Sequence, residues 1–422
     1  MNRSFPLILS AVVLALCVES CKNENNPAGI QGHQGHASSA PGAPTGLRAV
    51  AVSQSEVDLS WASSSSIVSG YRVERYDTSN SWVVVDSLDA ETLTDEDIGL
   101  NCNTSYLYRV LAFNSAGASP YSNIAHATTL LDAFSIGQSP SVEDLNDVEF
   151  ADPNAGVAVG NHGLIIRTFD GGSTWDTAST GTTKAFEGLA FSGVDTGIVV
   201  GSAGIILFTD DGGTTWRPEY NGGTTYTLYS VAYVSPGIWV VAGGNGTILR
   251  TTNNGALWAK LASGTTSALR GVRFADALNG TIVGFYGVIL TTSDGGATWT
   301  RRSNGVPPGL PSFYAVAYAD PLTETAVGLS GLILRSTDQG ASWATSPNSL
   351  SNLLYGVCFD DANVGIAVGS RGAVVQTNDG GRSWFSQPSG LTVSIHSVAF
   401  RKGVGATAVG GSGALLSVVP CR

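Results

Sequence analysis

The chain has 422 residues, enough for two or three domains with cores of their own, and only 13% are charged while 53 are Gly. That balance excludes a disordered chain, which needs low hydrophobicity and high charge, and disfavours helices, because each interior Gly costs roughly 1 kcal/mol there. With 21 basic residues against 33 acidic ones the net charge is −12, so no nucleic-acid footprint is expected. What remains is an all-β chain of many short strands joined by Gly-rich turns.

Residues 1–20 read as a signal peptide: Arg3 supplies the positive end, and Phe5 to Val18 form an apolar stretch too short to span a bilayer. Val18-Glu19-Ser20-Cys21 resembles a bacterial lipobox, which implies lipid on the Cys21 thiol and cleavage just before it. Ordinary signal-peptide cleavage nearby is the alternative. The lipobox places the chain in the bacterial cell envelope, lipid-anchored at the outer membrane, on its periplasmic or surface side. Residues 21–43 read as a flexible tether with nothing to bury, and the two imidazoles of His33 and His36 within it read as linker rather than as a metal site. Cys102, Cys358 and Cys421 then remain, an odd set without metal spacing. A Cys102–Cys421 bridge stays open, and Cys358 reads as a small buried hydrophobe.

Residues 44–129 alternate in short β-runs. Val57, Leu59 and Trp61 share one face of their run, and Tyr71 and Val73 share one face of the next. With Gly70-Tyr71 opening one strand and Tyr106 and Tyr108 on another, this segment resembles a fibronectin type III domain. The resemblance makes Tyr106 the tyrosine corner, a buried ring whose hydroxyl bonds back to the backbone. Asn114 to Ser119 carries no Arg-Gly-Asp, so the domain reads as a spacer.

From residue 130 to 422 the chain repeats itself. Trp175, Trp216, Trp258, Trp299, Trp343 and Trp384 stand 41, 42, 41, 44 and 41 residues apart. Each closes a box, such as Thr168-Phe-Asp170-Gly-Gly-Ser-Thr-Trp175, and its third position is Asp170, Asp211, Asn253, Asp294, Asp338 or Asp379. The Asp-Gly pair suits a turn needing positive φ, the carboxylate can bond turn amides, and the Trp packs beneath. Four short strands per repeat make one propeller blade. First-strand aliphatics at Val148, Leu189, Val231, Val272, Val316, Val357 and Val398 give seven blades. The last has no box of its own, so Ala133 to Ile136, ahead of the first blade, is expected to supply its fourth strand.

These boxes resemble the Asp-box propellers, a grouping that includes sialidases, xyloglucanases, sortilins and the photosystem II assembly factors. The short, uniform repeats look most like the last family, which implies a non-enzymatic protein that helps membrane complexes assemble. A sialidase-like Asp-box glycosidase is the enzymatic alternative. That resemblance would require three arginines converging on a carboxylate with a Tyr nucleophile, and only Arg270 and Arg273 fall on or beside an inner strand. Arg167, Arg250 and Arg335 recur at one third-strand position, where ion pairs or surface cover are expected. A xyloglucanase would pair two such propellers. No catalytic residue, metal or cofactor is assigned.

Two residues before each first-strand aliphatic stand Asn146, Glu187, Tyr229, Arg270, Tyr314, Tyr355 and His396. Equivalent positions on seven blades should ring the mouth of the central channel. They vary while the residues after them do not, as a binding surface on a repeated scaffold would. Three tyrosines with Arg, Glu, His and Asn suit a peptide or a sugar, and Phe285 and Tyr286 extend the patch; lining a water-filled channel is the plain alternative. The expectation is a membrane-anchored, non-catalytic scaffold that binds a protein or glycan partner.

Overall fold

The computed structural model describes residues 39–420 apart from 77–80, 103, 131, 304, 306–310, 349 and 403. The signal peptide, the lipobox with Cys21, the histidines of the tether and Cys421 lie outside the described residues. Among the described residues there is no α-helix.

The N-terminal strands form a sandwich of a three-stranded sheet (45–51, 56–62 and 94–98) and a five-stranded sheet (70–76, 82–89, 105–114, 117–118 and 125–128). In Glu56–Ala62 the inward positions Val57, Leu59 and Trp61 are buried and the residues between them are exposed. Trp61 meets Tyr71 edge to face at 5.6 Å. The tyrosine corner forms as expected, with the Asn101 amide donating to the Tyr106 hydroxyl at 2.9 Å. The Arg75–Asp97 ion pair joins the two sheets, and Arg109–Glu74 joins neighbouring strands of the five-stranded one, each at 2.6 Å. Cys102 is disulfide-bonded, and Cys358 is a free, half-buried thiol packed between blades.

Seven four-stranded antiparallel sheets follow, and the first strands of neighbouring sheets touch all the way round, which closes a seven-bladed propeller. In chain order these inner strands are Leu145–Phe150, Phe186–Phe191, Leu228–Ser235, Leu269–Phe274, Phe313–Tyr318, Leu354–Phe359 and Ile395–Arg401. The ring closes with both ends of the repeat region: Asp132–Gly137 pairs antiparallel with Leu415–Pro420 as the fourth strand of blade 7. No sheet edge is left open where blade 7 meets blade 1.

Each second strand is buried, as in Gly156–Gly160, apart from the half-buried Ile238 that opens the one in blade 3. The leading Gly makes room for the aromatic ring of the first strand; a Cβ on Gly156 would stand 2.5 Å from the Phe150 ring. Three blades depart from this. Blade 3 places Trp239 opposite Tyr233, blade 5 places Glu324 opposite Tyr318, and blade 7 places Ala406 opposite Phe400. Glu324 is fully buried, and burial pushes its pKa from 4.5 up to about 7 against the opposing pull of the Thr281 and Tyr318 hydroxyls.

The Asp-box turns tie the outer half of each blade together. In the first, the Thr168 hydroxyl donates to Asp170 Oδ1 at 2.8 Å and accepts the Gly172 amide at 2.9 Å. Asp170 also accepts the Thr174 amide at 2.9 Å and, on Oδ2, the Thr174 hydroxyl at 2.7 Å, and these bonds hold its pKa down at about 2. Trp175 donates its indole N–H to Gly172 O. The third box explains its own variation: Asn253 has one acceptor oxygen, and Leu257 stands where the other boxes keep the hydroxyl that needs the second.

Ion pairs or surface cover were expected of the repeated third-strand arginines, and among the described residues they form no ion pair. Arg250 donates to Gly295 O at 2.9 Å and Arg335 to Gly380 O at 2.6 Å, each clamping the Asp-box turn of the next blade. Arg167 reaches Thr214 of the next box at 2.6 Å, and Arg401 closes the ring by donating to Gly171 O.

Candidate functional site: the channel mouth

Opposite the Asp-box face, seven tight turns join second to third strands and sit beside the starts of the inner strands. The Phe285 amide, for example, donates to Ala268 O at 2.9 Å, and the equivalent bond recurs in the other blades. All seven ring residues, Asn146, Glu187, Tyr229, Arg270, Tyr314, Tyr355 and His396, line one cavity of about 240 Å³ there. The backbone gives the reason. In every inner strand the pairing register shifts at that residue, between Leu145 and Asp147 in blade 1, for example, and between Leu269 and Gly271 in blade 4. Each ring residue is therefore the extra residue of a β-bulge, a device that re-aims a side chain out of the ladder. No residue type marks these bulges in the sequence.

The seven divide into two groups. Asn146 and His396 are committed to the main chain of the following blade: Asn146 Nδ2 donates to Phe186 O at 2.8 Å, and His396 Nδ1 stands 2.9 Å from Leu145 O. Asp147, one residue further on, does the same work on amides and hydroxyls. It accepts from Leu189 N at 2.9 Å and Ser397 Oγ at 2.6 Å, linking blades 7, 1 and 2. Nothing local in the chain marks Asp147 or Glu149, because their partners lie one blade away. Burial raises both carboxyls, Glu149 to about 7, with Arg273 pulling them down.

The other five form the open part of the site. Arg270 lies 3.9 Å over the Tyr229 ring and 5.4 Å from Tyr314. Tyr314 meets Phe285 at 5.2 Å and Tyr355 at 5.5 Å, and Tyr355 meets His396 at 5.6 Å, all edge to face. One arc of rings thus runs over blades 3 to 7. Tyr286 extends it outward: it is 64% exposed and held at φ 58°, a left-handed conformation unfavourable for a bulky side chain. Glu187 stands across the mouth with its carboxyl raised by burial and lowered by Arg270 and His396. Among the described residues no cluster of three or more metal-ligating side chains occurs.

Residues 131–221 and 257–356 match the family model described as photosynthesis system II assembly factor YCF48, and residues 42–128 match the fibronectin type III domain. The propeller is YCF48-like. A structure titled "YCF48 bound to D1 peptide" aligns with TM-score 0.58 at 20% identity, covering 68% of this chain and 94% of that one. YCF48 from Cyanidioschyzon merolae gives 0.58 at 21%, covering 68% and 98%. The GH74 xyloglucanase from Xanthomonas campestris gives 0.54 at 14%, covering 67% of this chain and 53% of that one. At such identities these structures show a shared fold, and an enzyme is among the sharers. A comparison with curated protein sequences gave no match. Among the described residues of this YCF48-like propeller only two arginines, Arg270 and Arg273, line the cavity, while Arg167, Arg250 and Arg335 hold Asp-box turns together.

Proposed function

We propose that the protein is a non-catalytic envelope scaffold that captures a segment of another protein at the channel mouth, held at the membrane by lipid on Cys21. The observation that carries this reading is the set of seven bulges that turn side chains of varied chemistry into one cavity, five of them not spent on main-chain bonds between blades. Aromatic and Arg side chains contribute most of the energy at typical interfaces, often about 2 kcal/mol or more each. The YCF48 relative with a bound D1 peptide supports a peptide over a glycan as the occupant. A role in assembling a membrane complex is the narrower form of the same reading. Two arginines in the cavity, where a sialidase would converge three, argue against glycosidase chemistry.

The test is capture of partners from solubilised envelope by the chain with Tyr229, Arg270, Tyr314 and Tyr355 all changed to Ala. The control changes Phe169, Leu257 and Leu278, apolar residues exposed on the Asp-box face, to Ala. Capture lost only in the first variant, with circular dichroism unchanged, is the expected result. Capture lost only in the control moves the site to the Asp-box face, and capture abolished by deglycosylating the extract makes the ligand a glycan. Anchoring is checked separately: Cys21→Ala should release the protein from the membrane fraction.

A further inference from the structure

Among the described residues, two charged side chains of the mouth have no hydrogen-bond or ion-pair partner. Among the described residues Arg270 forms no hydrogen bond or ion pair, and its guanidinium contacts only aromatic rings, those of Tyr229, Tyr314 and Phe285. Glu187 accepts no hydrogen bond either. Arg273, further along the same inner strand as Arg270, lines the same cavity and donates a single bond, to Val272 O at 3.0 Å. The cavity is therefore polarised. Blade 4 supplies both of its arginines, while blades 1 and 2 supply Asp147 and Glu187.

Opposite charges in one half-buried cavity attract, and more strongly than they would in bulk water. The fold leaves that attraction unused. Blade 3 stands between Glu187 and Arg270, and its Tyr229 holds the guanidinium by its flat side. Stacking leaves the N–H groups at the rim of the guanidinium free to donate to a planar acceptor. Glu187 is likewise left with open acceptor positions.

We infer that the segment captured at this mouth presents an acidic side chain next to a basic one, the acid bonding Arg270 and the base bonding Glu187. This rests on the channel-mouth reading above and specifies its ligand. A cavity of about 240 Å³ has room for a pair of side chains but not for a folded element. A ligand of one sign leaves the facing charge desolvated without a partner, which penalises it; discrimination then comes from both walls at once. Tyr314, Tyr355 and Phe285 supply apolar cover beside the pair.

The experiment uses the full chain and three capped peptides of equal length in one Gly-Ser background. Their central pairs are Glu-Lys, Glu-Gln and Gln-Lys, and binding is read by calorimetry. The Glu-Lys peptide should bind roughly tenfold or more tighter than either of the others. Arg270→Gln should bring the Glu-Lys peptide down to the affinity of the Gln-Lys peptide, and Glu187→Gln should bring it to that of the Glu-Gln peptide. Equal affinities on the unmodified protein, or no binding of any of the three at millimolar concentration, overturn the inference. If the peptides bind alike while the quadruple variant has lost envelope capture, the charge pattern is wrong and the channel-mouth reading stands. If the quadruple variant still captures its partner, the channel-mouth reading is what fails.

Discussion

The two faces of the propeller use the same sevenfold frame in opposite ways. On the Asp-box face the residues repeat, and the hydrogen-bonding groups at the centre of each box are used internally: Thr168, Asp170 and Gly172 bond one another, and Arg401 takes the remaining carbonyl of that turn. At the channel mouth the residues vary, and among the described residues Arg270 and Glu187 have no hydrogen-bond or ion-pair partner. Repetition with satisfied valence marks a device that builds the fold. Variation with unsatisfied valence, on an equally rigid frame, marks a surface kept for something else.

That contrast predicts large stability effects on the box side. Trp343→Ala removes a side chain that is 7% exposed and bonded to Gly340 O, and should destabilise the propeller by roughly 3–5 kcal/mol in chemical denaturation. An unchanged midpoint would mean the box Trp is not core.

The next effect is pH-dependent and belongs to neither face. Glu324 has its pKa raised in the folded protein from 4.5 to about 7, so the native state holds a proton that the unfolded chain gives up. Its stabilising contribution is full below pH 4.5 and is lost as pH rises to about 7, a total of roughly 3 kcal/mol. Glu324→Gln should remove that slope and make the protein more stable than the unmodified chain at pH 8. Parallel stability-versus-pH curves for the two would show that the carboxyl is not buried as described.

Smaller effects sharpen the reading of the boxes. Arg250→Ala frees the Gly295 carbonyl of the next blade and should cost about 1–2 kcal/mol, with Arg250→Lys recovering little because the fork geometry is lost. Restoring the third box with Asn253→Asp and Leu257→Thr together should stabilise by about 1 kcal/mol, and Asn253→Asp alone by less. Equal effects of the single and double changes would contradict the pairing of the second carboxylate oxygen with that hydroxyl.

Much of this was legible in the sequence, for a definable reason. The box, the Trp spacing and the closing strand at 133–136 are local patterns repeated at a fixed period, and period alone implies blades. Ring positions followed from counting back from Val148, Leu189 and their equivalents. What could not be read is whatever depends on the neighbouring blade. The bond from His396 to Leu145 O spans 251 positions of sequence, and the clamp from Arg250 to Gly295 spans 45. Third-strand arginines therefore looked like makers of ion pairs or surface cover, and Asn146 and His396 looked like free members of the ring. Glu324 was invisible because a carboxylate in a strand reads as exposed until its partner strand and the adjacent blade are placed.

The most direct test of the account is a photo-reactive residue placed in turn at Tyr286, beside the mouth, and at Phe169, on the Asp-box face, in the full chain within envelope preparations. Both positions are well exposed, at 64% and 59%, so neither is favoured by accessibility. The account predicts cross-linked partner from position 286 and none from position 169. Adducts from 169 alone would contradict it and place the working surface among the Asp-boxes.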